Sequence, residues 1–196
     1  MMRLPPRHAP PVTKAIARRR MTRPADMNSQ RISLRPFEVS DLDDMCAVMG
    51  NPAVMKFSLS GTKTKTETEN FIRRSRAQYD EFGYGLLAVV YKEENRVIGY
   101  CGLFRQEIDG LMELEIGYRL HPRYWGRGIA TESAAMIRDW AFANLDREKL
   151  ISIIEPENTA SIAVAKKIGM DFDRAFLFKG HRSACIYSIR KTKEPN

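Results

Sequence analysis

The sequence predicts an α/β domain built around a mixed β-sheet, and two pairs of apolar segments lead to this prediction. Residues 86–91 and 97–104 are apolar runs joined by a short polar segment, which is typical of an antiparallel hairpin. Residues 114–120 and 150–154 are also apolar, but a Gly-containing turn and an amphipathic helix lie between them. A strand–helix–strand unit of this kind places its two strands in parallel. The predicted sheet therefore contains both strand orientations.

A short strand and two helices are predicted before the hairpin. Residues 32–35 form the strand, which Pro36 ends. Ser40 is predicted to cap the first helix, because acidic residues follow it directly, and Gly50 lies at the end of that helix. The second helix is expected at about residues 66–81. Its predicted buried side chains are Phe71, Ile72, Ala77 and Tyr79.

The elements after the hairpin begin with a turn over residues 105–111, which leads into the strand at 114–120. A helix that starts at residue 129 and a strand at 150–154 follow. The next helix is expected to start at residues 157–159 and to end before Gly169 as its C′ residue. Two closing strands are predicted at residues 174–178 and 184–190.

The formal net charge of +8 is concentrated near the N-terminus. Residues 1–30 hold seven basic side chains and one acidic side chain, a net charge of +6, which leaves +2 for the remainder. The folded part is thus nearly balanced, and this argues against nucleic-acid binding by it. The 196 residues suit one hydrophobic core, and no apolar run is long enough to span a bilayer, so no membrane partner is expected.

We expect residues 1–30 to be a disordered basic leader, because the segment is rich in Pro and Arg and has no periodicity. Three other interpretations stay open. The leader is compatible with an organellar transit peptide, it could tether nucleic acid with a steep salt dependence, or translation could start at Met21 or Met27. The folded domain is predicted to cover residues 31–192.

The three cysteines, Cys46, Cys101 and Cys185, are far apart and lack the spacing of a metal site. Their apolar surroundings predict reduced core thiols in a cytoplasmic protein. The three histidines are equally scattered, so no metal is expected.

The stretch that contains Gly126 and Gly128 is the strongest functional signal in the chain. The two glycines open the helix at residue 129, and the free N–H groups of a helix N-terminus suit a phosphate or pyrophosphate. A tight turn that merely needs small residues is the simpler interpretation. The dinucleotide-binding pattern is absent because the next glycine is Gly169, and the P-loop pattern is absent because Ile129 follows Gly128.

Taken together, residues 113–172 resemble the GNAT superfamily of acyl-CoA-dependent N-acetyltransferases, and most closely its ribosomal-protein N-terminal acetyltransferase (RimJ/RimL-like) branch. The resemblance covers about residues 31–190. It implies a mixed sheet of about seven strands with about four helices, in which two parallel strands splay apart. Trp125 stands where the general pattern has Gln or Arg, a departure common to that branch, and Arg123 is out of register for a phosphate contact.

The resemblance also implies how acetyl-CoA is bound. The pyrophosphate loop corresponds to Trp125, Gly126, Arg127, Gly128, Ile129 and Ala130. Arg119 and Leu120 are expected to offer main-chain groups to the pantetheine arm in the gap between the strands. Asn158 is predicted either to cap its helix or to contact the cofactor, and both roles are compatible.

Acyl transfer to an amine needs a neutral nucleophile and a route for protonating the thiolate that leaves. Glu115 is the predicted general base, because partial burial on the central strand would raise its pKa, and Glu113 is the alternative in register. A carboxylate that only forms a salt bridge or binds a substrate cation is the simpler role. Many superfamily members use a Tyr as general acid, but Ala165 stands at that position. In the resembled branch a Ser at the place of Ser161 has this role, and Tyr187 is a weaker alternative.

The resemblance therefore predicts a cytoplasmic acetyl-CoA-dependent N-acetyltransferase, monomeric or homodimeric, without a metal. The expected acceptor is the α-amine of a protein N-terminus. A small amine such as an antibiotic, a polyamine or an amino acid is the alternative acceptor. A non-catalytic acyl-CoA-binding module on the same scaffold is the alternative of a different class.

Overall fold

The computed structural model describes residues 27–179 and 182–192 and confirms an α/β fold with a mixed sheet. Within these residues the sheet has eight strands. The strands are β1 (Met27–Asn28), β2 (Ile32–Arg35), β3 (Leu86–Tyr91), β4 (Arg96–Ile108), β5 (Leu111–Leu120), β6 (Lys149–Ile154), β7 (Asp171–Phe178) and β8 (Arg182–Arg190). The α-helices are α1 (Leu42–Met49), α2 (Pro52–Met55), α3 (Lys65–Phe82), α4 (Ile129–Asn144) and α5 (Thr159–Lys167).

The strands lie in the order β1-β2-β3-β4-β5-β6-β8-β7. Every neighbouring pair is antiparallel except β5 and β6, which run parallel and are joined by the crossover helix α4. The parallel pair predicted from the strand–helix–strand unit is therefore confirmed. In this parallel pair, Glu115 of β5 lies opposite Ile151 of β6.

Helices cover both faces of the sheet, and each face has its own hydrophobic cluster. On one face, Met45 and Met49 of α1 and Ile72 of α3 pack with residues of β3 and β4, including Tyr100. On the other, α4 and α5 pack against the centre of the sheet. Their buried residues are Ile129, Ala134, Ile137, Ala141, Ala165 and the adjoining Ile168. We call these the α1–α3 face and the α4–α5 face.

Two elements were not expected from the sequence. The strand β1 pairs Met27 with Leu34 of β2, so the sheet begins within the segment predicted to be a disordered leader. The remainder of that predicted leader, residues 1–26, lies outside the described residues. The second unexpected element is the short helix α2, which Asn51 caps by accepting the Ala53 N–H at 2.9 Å.

The turn predicted at residues 105–111 is wrong, because β4 continues through most of it. Burial alternates between exposed and half-buried from Phe104 to Glu107, as in a strand with one partly covered face, and Ile108 is buried. The reversal occurs at Asp109 and Gly110, whose φ angles of 51° and 77° suit a two-residue hairpin turn. Arg105 and Glu107, charged residues next to this turn, concealed the strand pattern.

Ser40 is not the cap of α1. A 3-10 turn over Val39–Asp41 precedes the helix, and Asp41 is the N-cap residue. The Asp41 carboxylate is buried, where it accepts from Arg35 at 2.7 Å and from the Glu38 N–H at 2.8 Å. Capping here is therefore joined to an ion pair with β2, which the local sequence does not reveal.

The buried face of α3 also differs from the prediction. Ile72 and Tyr79 are buried as expected, but Ala77 is exposed, and Thr68 and Ser75 are buried in its place. These positions follow the helical repeat more closely than the apolar residues do. Thr68 can be buried because its hydroxyl donates to the Thr64 carbonyl at 2.9 Å.

Candidate active site

The parallel strands β5 and β6 separate just beyond the Glu115–Ile151 pair, and side chains replace the lost ladder bonds. The buried Ser152 hydroxyl donates to the Ile116 carbonyl at 2.8 Å. The Ile153 N–H donates to the Glu115 carboxylate at 3.4 Å. These two contacts hold the split in a defined geometry, because buried main-chain groups that lose a ladder partner need another one.

The register of β5 determines which of its main-chain groups face the split. The His121 N–H donates to the Ile98 carbonyl of β4 at 2.8 Å. Because N–H and C=O directions alternate along a strand, the main chain of Arg119 also faces β4, whereas that of Tyr118 and Leu120 faces the split. This register argues against the main-chain contact predicted for Arg119. It fits the contact predicted for Leu120 and adds Tyr118.

The glycine-containing loop after β5 has a fixed conformation. Gly126 and Gly128 have φ angles of 71° and 76°, in the left-handed region that favours glycine. A Cβ atom at Gly126 would meet nothing within 4 Å, so conformation and not crowding requires the glycine. The Trp125 indole donates to the Leu120 carbonyl at 2.7 Å, which fastens the loop to the end of β5.

At the start of α4, which follows the loop, backbone N–H groups lack an acceptor within the helix. Gly128 is the N-cap residue and provides no side-chain cap. The first hydrogen bond of the helix runs from the Glu132 N–H to the Gly128 carbonyl at 3.0 Å. The N–H groups of Ile129 and Ala130 therefore have no acceptor in their own helix and are available to an anion. Arg127 is exposed beside them.

Arg31, in the bend directly before β2, holds this loop through contacts with residues far along the chain. Its Nε donates to the Glu132 carboxylate at 2.9 Å, and its Nη1 donates to the Arg127 carbonyl at 2.8 Å. The pairing neutralises a carboxylate that would otherwise oppose anion binding at the helix N-terminus. The sequence analysis missed Arg31, since a contact over a hundred residues apart leaves no local signal.

Glu115 is the titratable group at the split. Burial raises its pKa to about 7, although the hydrogen bond from Gln106 at 2.8 Å, the Ile153 N–H and the positive charge of Arg119 oppose the shift. A carboxyl group with this pKa exchanges a proton readily near neutral pH. No ion pair of the described residues involves Glu115.

Glu113, the alternative base, has a different environment on the same face of β5. Its carboxylate is paired with the Lys149 ammonium group at 2.9 Å, and Lys149 also lies 3.6 Å from Asp173. The carboxylate of Glu113 is thus already bound to a cation, whereas Glu115 forms no ion pair among the described residues. The geometry favours Glu115.

Asn158 and Ser161 meet at the start of α5. The Asn158 side chain accepts the Ser161 N–H at 3.2 Å, so its capping role is confirmed, while a cofactor contact stays a prediction. The Tyr118 hydroxyl donates to the Ser161 carbonyl at 3.2 Å and links β5 to α5 beside the split. Ser161 is half-buried at this junction.

Tyr187 is placed away from Glu115. It pairs with Ser152 across β6 and β8 and is buried in the cluster of the α4–α5 face, with its ring edge-on to Phe172 at 5.9 Å. Leu114 and Ile116 belong to the same cluster, so the side chain of Glu115 between them projects from the opposite face. The structure therefore does not bring Tyr187 together with the candidate base.

The α1–α3 face of β5, which carries Glu113 and Glu115, also carries the polar side chain of Arg119. Between Glu115 and Arg119 lies Gly117, where a Cβ atom would approach the Phe104 ring to 2.4 Å. The glycine thus makes room for an aromatic ring. Arg119 donates to the Met55 sulfur of α2 at 2.8 Å.

Metal or cysteine chemistry finds no support at this site. Across residues 27–179 and 182–192 no group of three or more His, Cys, Asp or Glu side chains could hold a metal ion. All three cysteines are free, and burial raises the pKa of the Cys101 thiol to about 12, which keeps it protonated. In the same part of the chain, no helix combines the length and apolar character that crossing a membrane requires.

Comparison with known proteins agrees with this geometry. The family model "Acetyltransferase (GNAT) domain" matches residues 31–171. The uncharacterized protein YkkB of Bacillus subtilis is 32% identical over 160 residues, which cover 81% of this chain and 92% of that protein. The spermidine N(1)-acetyltransferase of Escherichia coli K12 is 25% identical over 74% of this chain and 76% of its own length.

Among solved structures, the ribosomal L7/L12 α-N-protein acetyltransferase RimL in complex with coenzyme A has a similar fold. It superposes with a TM-score of 0.69 at 19% identity and covers 83% of this chain and 95% of its own. Neither this likeness nor the relatives assign the chain to the ribosomal-protein branch, since proteins with different acceptors are similar to it. The family match and the YkkB relationship show that the chain belongs to the GNAT family of acetyl-CoA-dependent acetyltransferases.

Proposed function

We propose that this N-acetyltransferase transfers the acetyl group of acetyl-CoA to the α-amine of a protein N-terminus. The observation that carries the proposal is the pKa of about 7 of Glu115 at the split between β5 and β6. An α-ammonium group with a pKa of about 8 is a suitable proton donor to such a base, whereas a lysine with a pKa of about 10.4 is much less so. The proton transfer from an α-ammonium group to Glu115 is then only slightly unfavourable in free energy.

The main-chain donors of the loop and of α4 would hold the pyrophosphate, with Gly126, Gly128, Ile129 and Ala130 contributing N–H groups and Trp125 and Arg127 flanking them. The pantetheine arm would lie along the split and bond to main-chain groups of Tyr118 and Leu120. Asn158, at the start of α5, would contact the cofactor from the far side.

The reaction needs no protein-bound intermediate. Glu115, directly or through one water, takes a proton from the acceptor ammonium group, and the neutral amine attacks the thioester carbonyl carbon. A C–N bond forms, the C–S bond breaks, and the thiolate of coenzyme A leaves. Ser161 is the proposed donor of the proton to that thiolate, and its hydroxyl takes up in exchange the second proton, which the attacking nitrogen loses as the amide forms. A thiol with a pKa of about 8.5 needs little assistance in leaving.

A small amine is the second candidate acceptor. The E. coli relative acts on spermidine, and the RimL structure is that of an α-N-protein acetyltransferase, so the family likeness allows either class. A polyamine would be attracted by acidic groups, but Glu113 on β5 is paired with Lys149, and Glu155, directly after β6, is paired with Arg182 at 2.7 Å. We also propose a cytoplasmic location, where the three free thiols would stay reduced.

The acceptor class can be tested by incubating the enzyme with acetyl-CoA and a panel of peptides, spermidine and aminoglycosides, followed by mass spectrometry. We expect an added acetyl group on the α-amine of peptides, and its loss in Glu115→Gln. Acetylation of spermidine alone would refute the N-terminal assignment. Binding of acetyl-CoA without acetylation of any amine would instead support a non-catalytic acyl-CoA-binding module.

A further inference from the structure

Arg119 is a cation that has only a weak acceptor. Its Nη1 donates to the Met55 sulfur at 2.8 Å, and a thioether is a poor hydrogen-bond acceptor for a guanidinium group with five N–H donors. None of the ion pairs in the described part of the chain involves Arg119. Lys149 and Arg182, by contrast, are both paired with carboxylates.

Arg119 shares the α1–α3 face of β5 with the candidate base. The two residues are four positions apart on one strand, and Arg119 is close enough for its charge to lower the pKa of Glu115. Their Cα atoms are thus separated by roughly 13 Å, at about 3.3 Å per residue. The Phe104 ring above Gly117 forms an apolar floor between them. A half-buried cation at this distance from the base is suited to a ligand that has an anion at one end and an amine at the other.

We infer that Arg119 recognises a carboxylate of the acceptor, and that the preferred acceptor is an N-terminal peptide with Asp or Glu as its second or third residue. This inference rests on the proposed function. An extended peptide spans about 3.3–3.6 Å per residue, so an acidic side chain one or two residues beyond the amine can reach Arg119. The carboxylate of a free amino acid lies too close to its own amine to do so. A polyamine would place a second cation near Arg119, and the two charges would repel each other.

The test compares three peptides that are identical except for Glu, Gln or Lys at both their second and third residues. The measured quantity is kcat/KM for each peptide at saturating acetyl-CoA. For the unmodified enzyme we expect the Glu peptide to exceed the Gln peptide by about tenfold or more, as charge-assisted hydrogen bonds to carboxylates do, and the Lys peptide to be the poorest. The preference should reside mainly in KM, because the carboxylate contact is the same in the ground state and the transition state.

The variant Arg119→Met should bring the ratio of kcat/KM for the Glu and Gln peptides close to one. This ratio is the readout, because the variant also removes a charge that lowers the pKa of Glu115 and so alters the rate with every peptide. Arg119→Lys keeps the charge and should retain part of the preference. Arg105→Met is the matched control: Arg105 is an exposed arginine of β4 that lies over the Phe82 ring and forms no ion pair in the described part of the chain. It should keep the full preference. Circular dichroism of each variant shows whether the fold is retained.

The possible outcomes distinguish failure of the inference about Arg119 from failure of the proposed function. Equal kcat/KM for the Glu and Gln peptides in the unmodified enzyme would overturn the role of Arg119 while leaving the N-terminal acceptor in place. An equal loss for all three peptides in Arg119→Met would also overturn it, since that pattern indicates a general effect on catalysis or folding. Acetylation of spermidine but of none of the peptides would overturn the proposed acceptor and the inference together.

Discussion

Glu115→Gln should lower activity and, above neutral pH, increase stability. The carboxyl group has a folded-state pKa of about 7 against an ordinary value of 4.5. Below pH 4.5 the side chain is protonated in both the folded and the unfolded chain. As the pH rises toward 7, the unfolded chain releases the proton first, so the folded state loses relative stability over this window. Glutamine is neutral throughout and escapes the loss.

The size of the effect follows from the shift. A difference of about 2.5 pKa units at 1.36 kcal/mol each corresponds to about 3 kcal/mol of destabilisation above pH 7 in the unmodified protein. The glutamine side chain can accept from only one of its two donors, Gln106 and the Ile153 N–H, and the loss of the other costs about 1 kcal/mol at every pH. The free energies of unfolding of variant and wild type should therefore be compared at pH 5 and at pH 8. Only the part of their difference that changes with pH reports the raised pKa of Glu115.

Urea unfolding of both proteins at pH 5 and pH 8 measures this change in the free-energy difference. The dependence of kcat/KM on pH reports which group acts as the base. With a peptide whose α-amine has a pKa of about 8, the wild-type logarithm of kcat/KM should rise with a slope of one and level off near pH 7, because Glu115 must be deprotonated while the ammonium group still carries the proton that it gives up. In Glu115→Gln the rise should instead continue to about pH 8, the pKa of the amine itself, with a rate lower by about 10²–10⁴-fold. Glu113→Gln removes the same charge at the lysine-paired carboxylate and should keep the wild-type profile.

Two results would contradict this reasoning. If the stability difference between Glu115→Gln and wild type is the same at pH 5 and pH 8, the carboxyl group does not have a raised pKa. If Glu113→Gln, and not Glu115→Gln, shifts the pH at which the profile levels off from about 7 to about 8, the base lies two residues earlier on the strand.

Three further substitutions test how the cofactor site is built. Gly128→Ala, at a φ angle of 76°, should cost about 1 kcal/mol of stability and weaken acetyl-CoA binding about tenfold by calorimetry, because the loop N–H groups turn away. Gly110→Ala has the same strain at φ 77° and should leave affinity unchanged; equal effects on affinity would contradict the role of the loop. Arg31→Met should raise KM for acetyl-CoA about three- to tenfold at unchanged kcat, unlike Arg174→Met, which removes a similarly exposed arginine that is paired with Asp109. Ser152→Ala leaves a buried carbonyl of β5 without its donor and should lower the free energy of unfolding in urea by about 1–3 kcal/mol; no change would indicate that water replaces the hydroxyl.

The sequence predicted the fold best where one residue pattern had one physical cause. The strand–glycine–helix–strand stretch required a parallel pair, and the structure has it at β5 and β6. Hydrophobic periodicity located α4 to within its first turn. It failed at the end of β4, where strand pairing with β5 is satisfied by charged residues at 105 and 107 that carry no apolar signal.

The residues of the candidate site likewise divide into those that the local sequence predicts and those that it does not. Local groups such as the loop glycines and the Asn158 cap could be predicted because their roles depend on the conformation of a few adjacent residues. Arg31 and the contact of Arg119 with Met55 could not, since each joins residues far apart in the chain. The face of the sheet that Tyr187 occupies could not be predicted for a further reason: strand parity decides which face a side chain occupies, and one position of register exchanges the faces.

The contacts of Ser152 and Glu115 across the diverging strands also bear on how a thioester enters. Because both contacts belong to the folded protein itself, the opening is formed when the chain folds, and an arriving ligand has no strand pairing to unzip. Entry then displaces solvent alone, as in other largely preformed ligand sites. Uptake of coenzyme A should accordingly proceed in one kinetic phase whose rate increases linearly with its concentration.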